Sequence, residues 1–225
     1  MTPGPATADP AAAAPPPVAP RSAIPSVALL VTLGVLAVTA IRPFDGPTWW
    51  LEVAPILIAT PILVATKRRW PWTGLLYGLL AVHAVILAVG GHYTYAHVPF
   101  GEWMRDVLHT ERNPYDRLGH LAQGFIPAIA FREMLLRATP LQKGKAVFFL
   151  VLACCLAVSA LYELVEWLTS VTAGDASLEF LGVQGDVWDA QWDMLFALIG
   201  AILGQLLLGR LHDRAIFRLT GKLPD

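Results

Sequence analysis

Charge is what this sequence has least of. Of its 225 residues, 15% are Asp, Glu, Lys or Arg and 56% are hydrophobic, whereas a soluble domain carries roughly 25% charged residues. That deficit excludes an ordinary soluble domain and leaves an integral membrane protein. The net charge of -1 says nothing about nucleic acid, but no basic tract of the right kind is present, so no nucleic-acid partner is expected. The two cysteines, Cys154 and Cys155, are adjacent in an apolar run. Neighbours on one helix do not bridge to each other, so they are small membrane-core residues and give no redox compartment. No P-loop, GxGxxG or CxxC motif is present, and no internal repeat.

What the chain does have begins with Pro/Ala low complexity over residues 1–23. Such a segment has too little to bury and reads as a disordered cytoplasmic tail. It also argues against a cleaved signal peptide, whose positive flank opens the chain, although VTA at Val38–Ala40 has the form of a cleavage site. Six apolar segments follow: Ile24–Ile41, Leu51–Thr66, Trp72–Gly91, Leu118–Leu136, Ala146–Trp167 and Ala190–Leu211. A spanning helix needs about 20 mainly apolar residues. The second segment is short and carries Pro55 and Pro61, which predicts a kink. The expected fold is all-α, a polytopic bundle of about six transmembrane helices over residues 24–215, closed by a short basic tail at 216–225.

Orientation follows from Lys and Arg in the short loops. With six spans, Arg21, Lys67, Arg68, Arg69, Arg137, Lys143, Lys145, Arg210, Arg214, Arg218 and Lys222 share one side. Arg42, Arg105, Arg112 and Arg117 fall on the other. The basic side is cytoplasmic, which puts both termini inside and the connections Gly91–Arg117 and Ser170–Asp189 outside. The expected location is the bacterial inner membrane.

Polar residues converge at the outer side. GDVWDAQWDM puts Asp186, Asp189 and Asp193 at the start of the sixth segment, on one face if helical. NPYDRLGHLAQGF puts Asp116, His120 and Gln123 on one face of the fourth. SALYELVEW ends the fifth with Glu163, Glu166 and the neighbouring Tyr162. Singly, these residues have plain explanations. Acids in a first helical turn favour its dipole, glutamates near a helix end snorkel, and Trp167, Trp188 and Trp192 suit an interfacial belt. Jointly, the carboxylates and a histidine would face one another where desolvation is costly, with Arg117 the obvious local cation. A bound cation, shared protons or a basic or polar ligand must compensate them. His92, Tyr93, Tyr95 and His97, with Glu102 and Arg105, read as an interfacial loop with aromatic anchors. His83 reads as a core histidine bonded to a carbonyl or water, Arg132 and Glu133 as snorkelling or locally paired groups, and His212 and Asp213 as cytoplasmic surface.

Three stretches then read together: NPYDRLGHLAQGFIPA, ALYELVEW and LGVQGDVWDAQWDMLFALIGAILG. They resemble the YjdF-like bacterial inner-membrane proteins over about residues 24 to 215. The resemblance implies a small multi-spanning inner-membrane protein and supplies no reaction. A looser similarity is to VanZ-like membrane proteins, which are associated with glycopeptide-antibiotic resistance. Asp116 with His120, Glu163 or Glu166, and Asp189 with Gly200 and Gly204 match their pattern. Asp193 departs from it, standing where that pattern usually has an asparagine.

Three functions fit. The first is a metal-dependent enzyme acting on a lipid-linked or envelope substrate, with Asp116, His120, Glu163, Glu166 and Asp189 as ligands of a divalent metal or as general acid and base. Asp186 and Asp193 complete the candidate polar site. The second is a proton- or ion-coupled carrier, against which the apolar inner halves of the fifth and sixth segments count. The third is a non-catalytic membrane protein whose polar network fixes helix packing, helped by glycines 119, 124, 200, 204 and 209.

Overall fold

The computed structural model describes residues 23–173 and 184–222. The Pro/Ala tail, the middle of the second outer connection and the last three residues lie outside them. Among the described residues the chain is all-helical, with α1 (Ile24–Thr39), α2 (Gly46–Thr66), α3 (Gly74–His92), α4 (Pro99–Leu108), α5 (Tyr115–Ala138), α6 (Lys145–Ala173) and α7 (Asp189–Thr220). Four of these, α2, α3, α6 and α7, are long and apolar enough to cross a membrane, and α1 is a shorter apolar helix. α5 lacks such a window because Asp116, His120, Gln123, Arg132 and Glu133 interrupt it. Most of these polar groups turn into the bundle rather than outward.

α2 begins at Gly46, earlier than the apolar run suggests, because Asp45 caps it by accepting from the Thr48 amide at 2.8 Å. The helix is continuous through Pro55 and Pro61. Successive long helices alternate in direction. The ends of α1, α2 and α3 meet where the Trp49 indole donates to Thr39 and His92 Nδ1 lies 2.8 Å from the Thr39 carbonyl. At this acid-rich end stand the starts of α5 and α7. At the opposite, basic end stand the starts of α3 and α6 and the ends of α2, α5 and α7.

α5 and α7 pack backbone against backbone. A Cβ on Gly124 would strike Ala197, and one on Gly200 or Gly204 would strike the carbonyls of Leu121 or Phe125. Gly119 instead faces the Tyr95 ring, and Gly209 faces open space, so two of the five glycines serve no helix contact. The short amphipathic α4 fills the first long connection, with Phe100, Trp103, Val107 and Leu108 exposed along one side.

Candidate functional site

Asn113 sets up the acid-rich end. It is 1% exposed. Its side-chain amide donates to the carbonyls of Ala96 and Val98 and to Glu102, and its oxygen accepts from the Tyr115 amide at 3.0 Å. Its backbone exchanges two hydrogen bonds with the Gln184 side chain. The first and third sequence stretches are thereby stapled to each other, and the starts of α5 and α7 are set side by side.

Ion pairs close over this staple. Arg112 bonds Asp189, donates to Asp116 at 3.1 Å and lies 3.7 Å from Asp186. Arg117 donates to Asp186 at 2.9 Å and stacks over the Trp192 ring at 5.3 Å. Arg112 is the cation that the sequence did not reveal. It lies four residues before Asp116, but Pro114 between them puts it outside the helix, where helical spacing predicts nothing. Asp186 likewise lies in the turn before α7, where its carboxylate accepts from the Trp188 amide at 2.9 Å.

Beneath the arginines the balance reverses. Asp116, His120 and Asp193 each offer a ligand atom, all within 4.8 Å of one another. His120 Nε2 is 3.6 Å from Asp116 and 3.9 Å from Asp193, and its Nδ1 is 3.9 Å from Glu163. None of these is a hydrogen bond by distance. His120 is 5% and Asp193 2% exposed. Among the described residues, His120 Nδ1, Asp193 Oδ1 and Glu163 Oε1 are buried with no hydrogen-bond partner. Buried polar atoms are nearly always bonded, so three orphans in one cluster call for an explanation. Asp189, expected among metal ligands, is turned to Arg112 instead, and Asp193 takes the third corner.

A cavity of about 290 Å³ opens below, walled by α2, α3, α5 and α6. Its polar end holds Asp116, His120, Tyr162, Glu166 and Glu52. Glu52, 3% exposed on α2, accepts from the Tyr162 hydroxyl at 2.8 Å and brings a fourth helix to the site. The signal for it was present: an acid just inside a spanning helix is a functional candidate by default. Tyr95, read from sequence as part of an interfacial loop, turns inward to line the cavity. Burial, with Glu52 and Asp116 nearby, raises its phenol well above the usual range and keeps it a donor. His83 also lines the cavity, and its Nε2 has no partner among the described residues.

The basic end holds a different kind of network. Glu133, fully buried, accepts from Thr73 at 2.7 Å, Arg137 at 2.5 Å and His212 Nε2 at 3.1 Å. Arg132 lies 3.0 Å from His212 Nδ1 and donates to Asp213 at 2.6 Å. His212 is 0% exposed, so it is a core residue and not cytoplasmic surface. The one-dimensional pattern hid this because α7 runs past the apolar segment to Thr220 and carries His212 back against α5.

The family model described as "Predicted membrane protein (DUF2238)" matches residues 24–214. The chain is 48% identical over 191 residues to the "Inner membrane protein YjdF" of Escherichia coli (strain K12), a match covering 85% of this chain and 91% of that protein. No solved structure matches. With its several apolar helices it is a multi-pass protein of the inner membrane, and it belongs to the DUF2238 family of predicted membrane proteins.

Proposed function

We propose that this protein is a six-span membrane enzyme, both termini cytoplasmic, that uses a divalent metal ion bound by Asp116, His120 and Asp193 for chemistry on a lipid-linked or envelope substrate. The spanning unit is 24–215, flanked by the tails 1–23 and 216–225. Its acid-rich end faces outward, since the other end carries most of the Lys and Arg. Supporting that boundary, Trp50, Trp103, Trp167, Trp188 and Trp192 are all exposed near the acid-rich end.

The observation that carries the metal reading is the meeting of Asp116, His120 and Asp193 with ligand atoms within 4.8 Å and an orphaned buried oxygen on Asp193, within a site where seven carboxylates (Glu52, Asp116, Glu163, Glu166, Asp186, Asp189 and Asp193) face two arginines. A hard or borderline divalent ion suits two carboxylates and an imidazole. Ligand atoms no more than 4.8 Å apart would close by about 1 Å to reach bond lengths near 2.1 Å. A bound ion would polarise a phosphoryl or carbonyl oxygen and supply activated water. Glu163 and Glu166, standing at its edge without arginine partners, are the groups to accept and return the proton.

A purely structural role is disfavoured by comparison within the molecule. The network around Glu133 and His212 has its bonds made, whereas the one around His120 does not. A carrier is the second reading. Its specific support is a smaller cavity of about 80 Å³ that shares Thr32, Thr60, Leu63 and Leu80 with the larger one and reaches Lys67. The shared wall is two threonines and two leucines, which offer an ion no compensating charge.

The test is elemental analysis of protein purified in mild detergent without chelator or metal resin. Near one metal per chain is expected, lost in Asp193→Asn and His120→Ala and kept in Asp186→Asn, whose carboxylate serves Arg117. Absence of metal from folded wild-type protein sinks the metal reading.

A further inference from the structure

The larger cavity has more length than its polar end requires. From Glu52 to Leu63 on α2 it runs eleven residues, about 16 Å at 1.5 Å per residue. One leaflet of a bilayer's hydrocarbon core is about 15 Å thick. Beyond the acids, the wall is mainly apolar, with Pro55, Ile56, Ala59, Leu63, Leu80 and Leu87, interrupted by Thr32, Thr60 and, midway, His83. An empty space of this kind, at the acid-rich end of a membrane bundle, matches a lipid in polarity as well as length.

The cavity is also open at its side. Pro55 and Ala59 of α2 and Val158 of α6 line it, yet all three are exposed on the surface of the bundle. α2 packs on α3 and hardly on α6. A bridge between α2 and α6 stands at the polar level, from Tyr162 to Glu52. Below it, the exposed side chains that line the opening, Pro55, Ala59 and Val158, are apolar, so a chain in the bilayer enters without crossing water.

We propose that this cavity is a lipid-tail site: a membrane lipid enters sideways between α2 and α6, lays one hydrocarbon chain along Pro55, Ala59, Leu63, Leu80 and Leu87, and so brings its polar head to Asp116 and His120. This rests on the enzyme reading above and narrows its substrate class from any envelope compound to a lipid. Asp116 and His120 belong both to the cavity wall and to the candidate metal cluster, so a head anchored by its tail arrives at the reacting position already oriented. His83 Nε2 gives the middle of the apolar arm one acceptor or donor.

The experiment uses full-length protein in nanodiscs with two photoreactive probes, a phospholipid and a polyprenyl phosphate, each carrying a diazirine at the end of one chain. Adduct positions are mapped by mass spectrometry, and metal content is measured on the same samples. Adducts on Leu63 and Leu80, at the far end of the cavity, are expected with at least one probe, and which probe gives them identifies the lipid class. Ala59→Trp should lower them about tenfold, while Ile58→Trp, on the lipid-facing side, leaves them unchanged and both variants keep their metal. Should Ala59→Trp fail to fold, excess unlabelled lipid must still suppress the cavity adducts saturably in wild-type protein. Adducts confined to Ile58, Ile62 and Val82 with both probes overturn the tail site, whatever the metal content. Cavity adducts without any metal uphold the tail site and overturn the metal reading alone.

Discussion

Arg112 holds two and touches three carboxylates with a side chain only 10% exposed. Burial alone would favour its neutral form, but the hydrogen bond and charge of Asp189, with the charge of Asp116, outweigh that and hold it protonated above its usual range. Removing one partner of a buried pair leaves the other charge uncompensated, at a cost of about 3–5 kcal/mol. Arg112→Gln should therefore lower the thermal unfolding midpoint in detergent substantially, and Asp189→Asn added to it should restore part of the loss. A single variant that melts with the wild type would show that Arg112 does not compensate the acids. The same residue illustrates the limit of sequence at this scale. Asp116 and His120 were legible because they share a helix face four residues apart. Arg112 was not, and Glu52 offered only the signal of an acid inside an apolar run, since nothing in their neighbourhoods says that a turn after α4 and the first turns of α2 close on one point.

Among the elements, the pair α5 and α7 carries the site. Three glycines bring their backbones into contact, and that contact fixes Asp116 and His120 against Asp189 and Asp193. Gly200→Ala forces a methyl into the Leu121 carbonyl, and overpacking of this kind costs about 1–3 kcal/mol or more. Gly209→Ala meets open space and should instead stabilise the helix by about 0.5–1 kcal/mol, the usual gain over glycine. Unfolding titrations of the two variants should thus shift in opposite directions; equal shifts would remove the packing argument. Helical spacing separates the two, since nine residues at about 100° each set Gly209 half a turn round from Gly200. Only the partner helix decides which of the two faces is packed, because spacing alone does not say where a neighbour lies.

For the whole molecule, the decisive question is sidedness. Asp106 stands exposed at the acid-rich end and Arg214 exposed at the basic end. In a background with Cys154 and Cys155 replaced by alanine, Asp106→Cys should react in intact spheroplasts with a membrane-impermeant maleimide, and Arg214→Cys only after lysis. The reverse pattern would turn the candidate site toward the cytoplasm and invert the proposed substrate supply.

By itself the sequence determined that this protein is a helical membrane protein, which segments are apolar, and that acids and a histidine crowd one end. These are local properties, set by the solvation of each segment and by helical spacing, and they survive being read one residue at a time. The tertiary structure alone decided that Arg112 and Glu52 join the cluster, that His212 is buried against Glu133, that Asp193 and not Asp189 stands beside His120, and that a lipid-length cavity opens below. Each of those depends on which helices are neighbours and how far one slides along another, and the packing of whole helices fixes that.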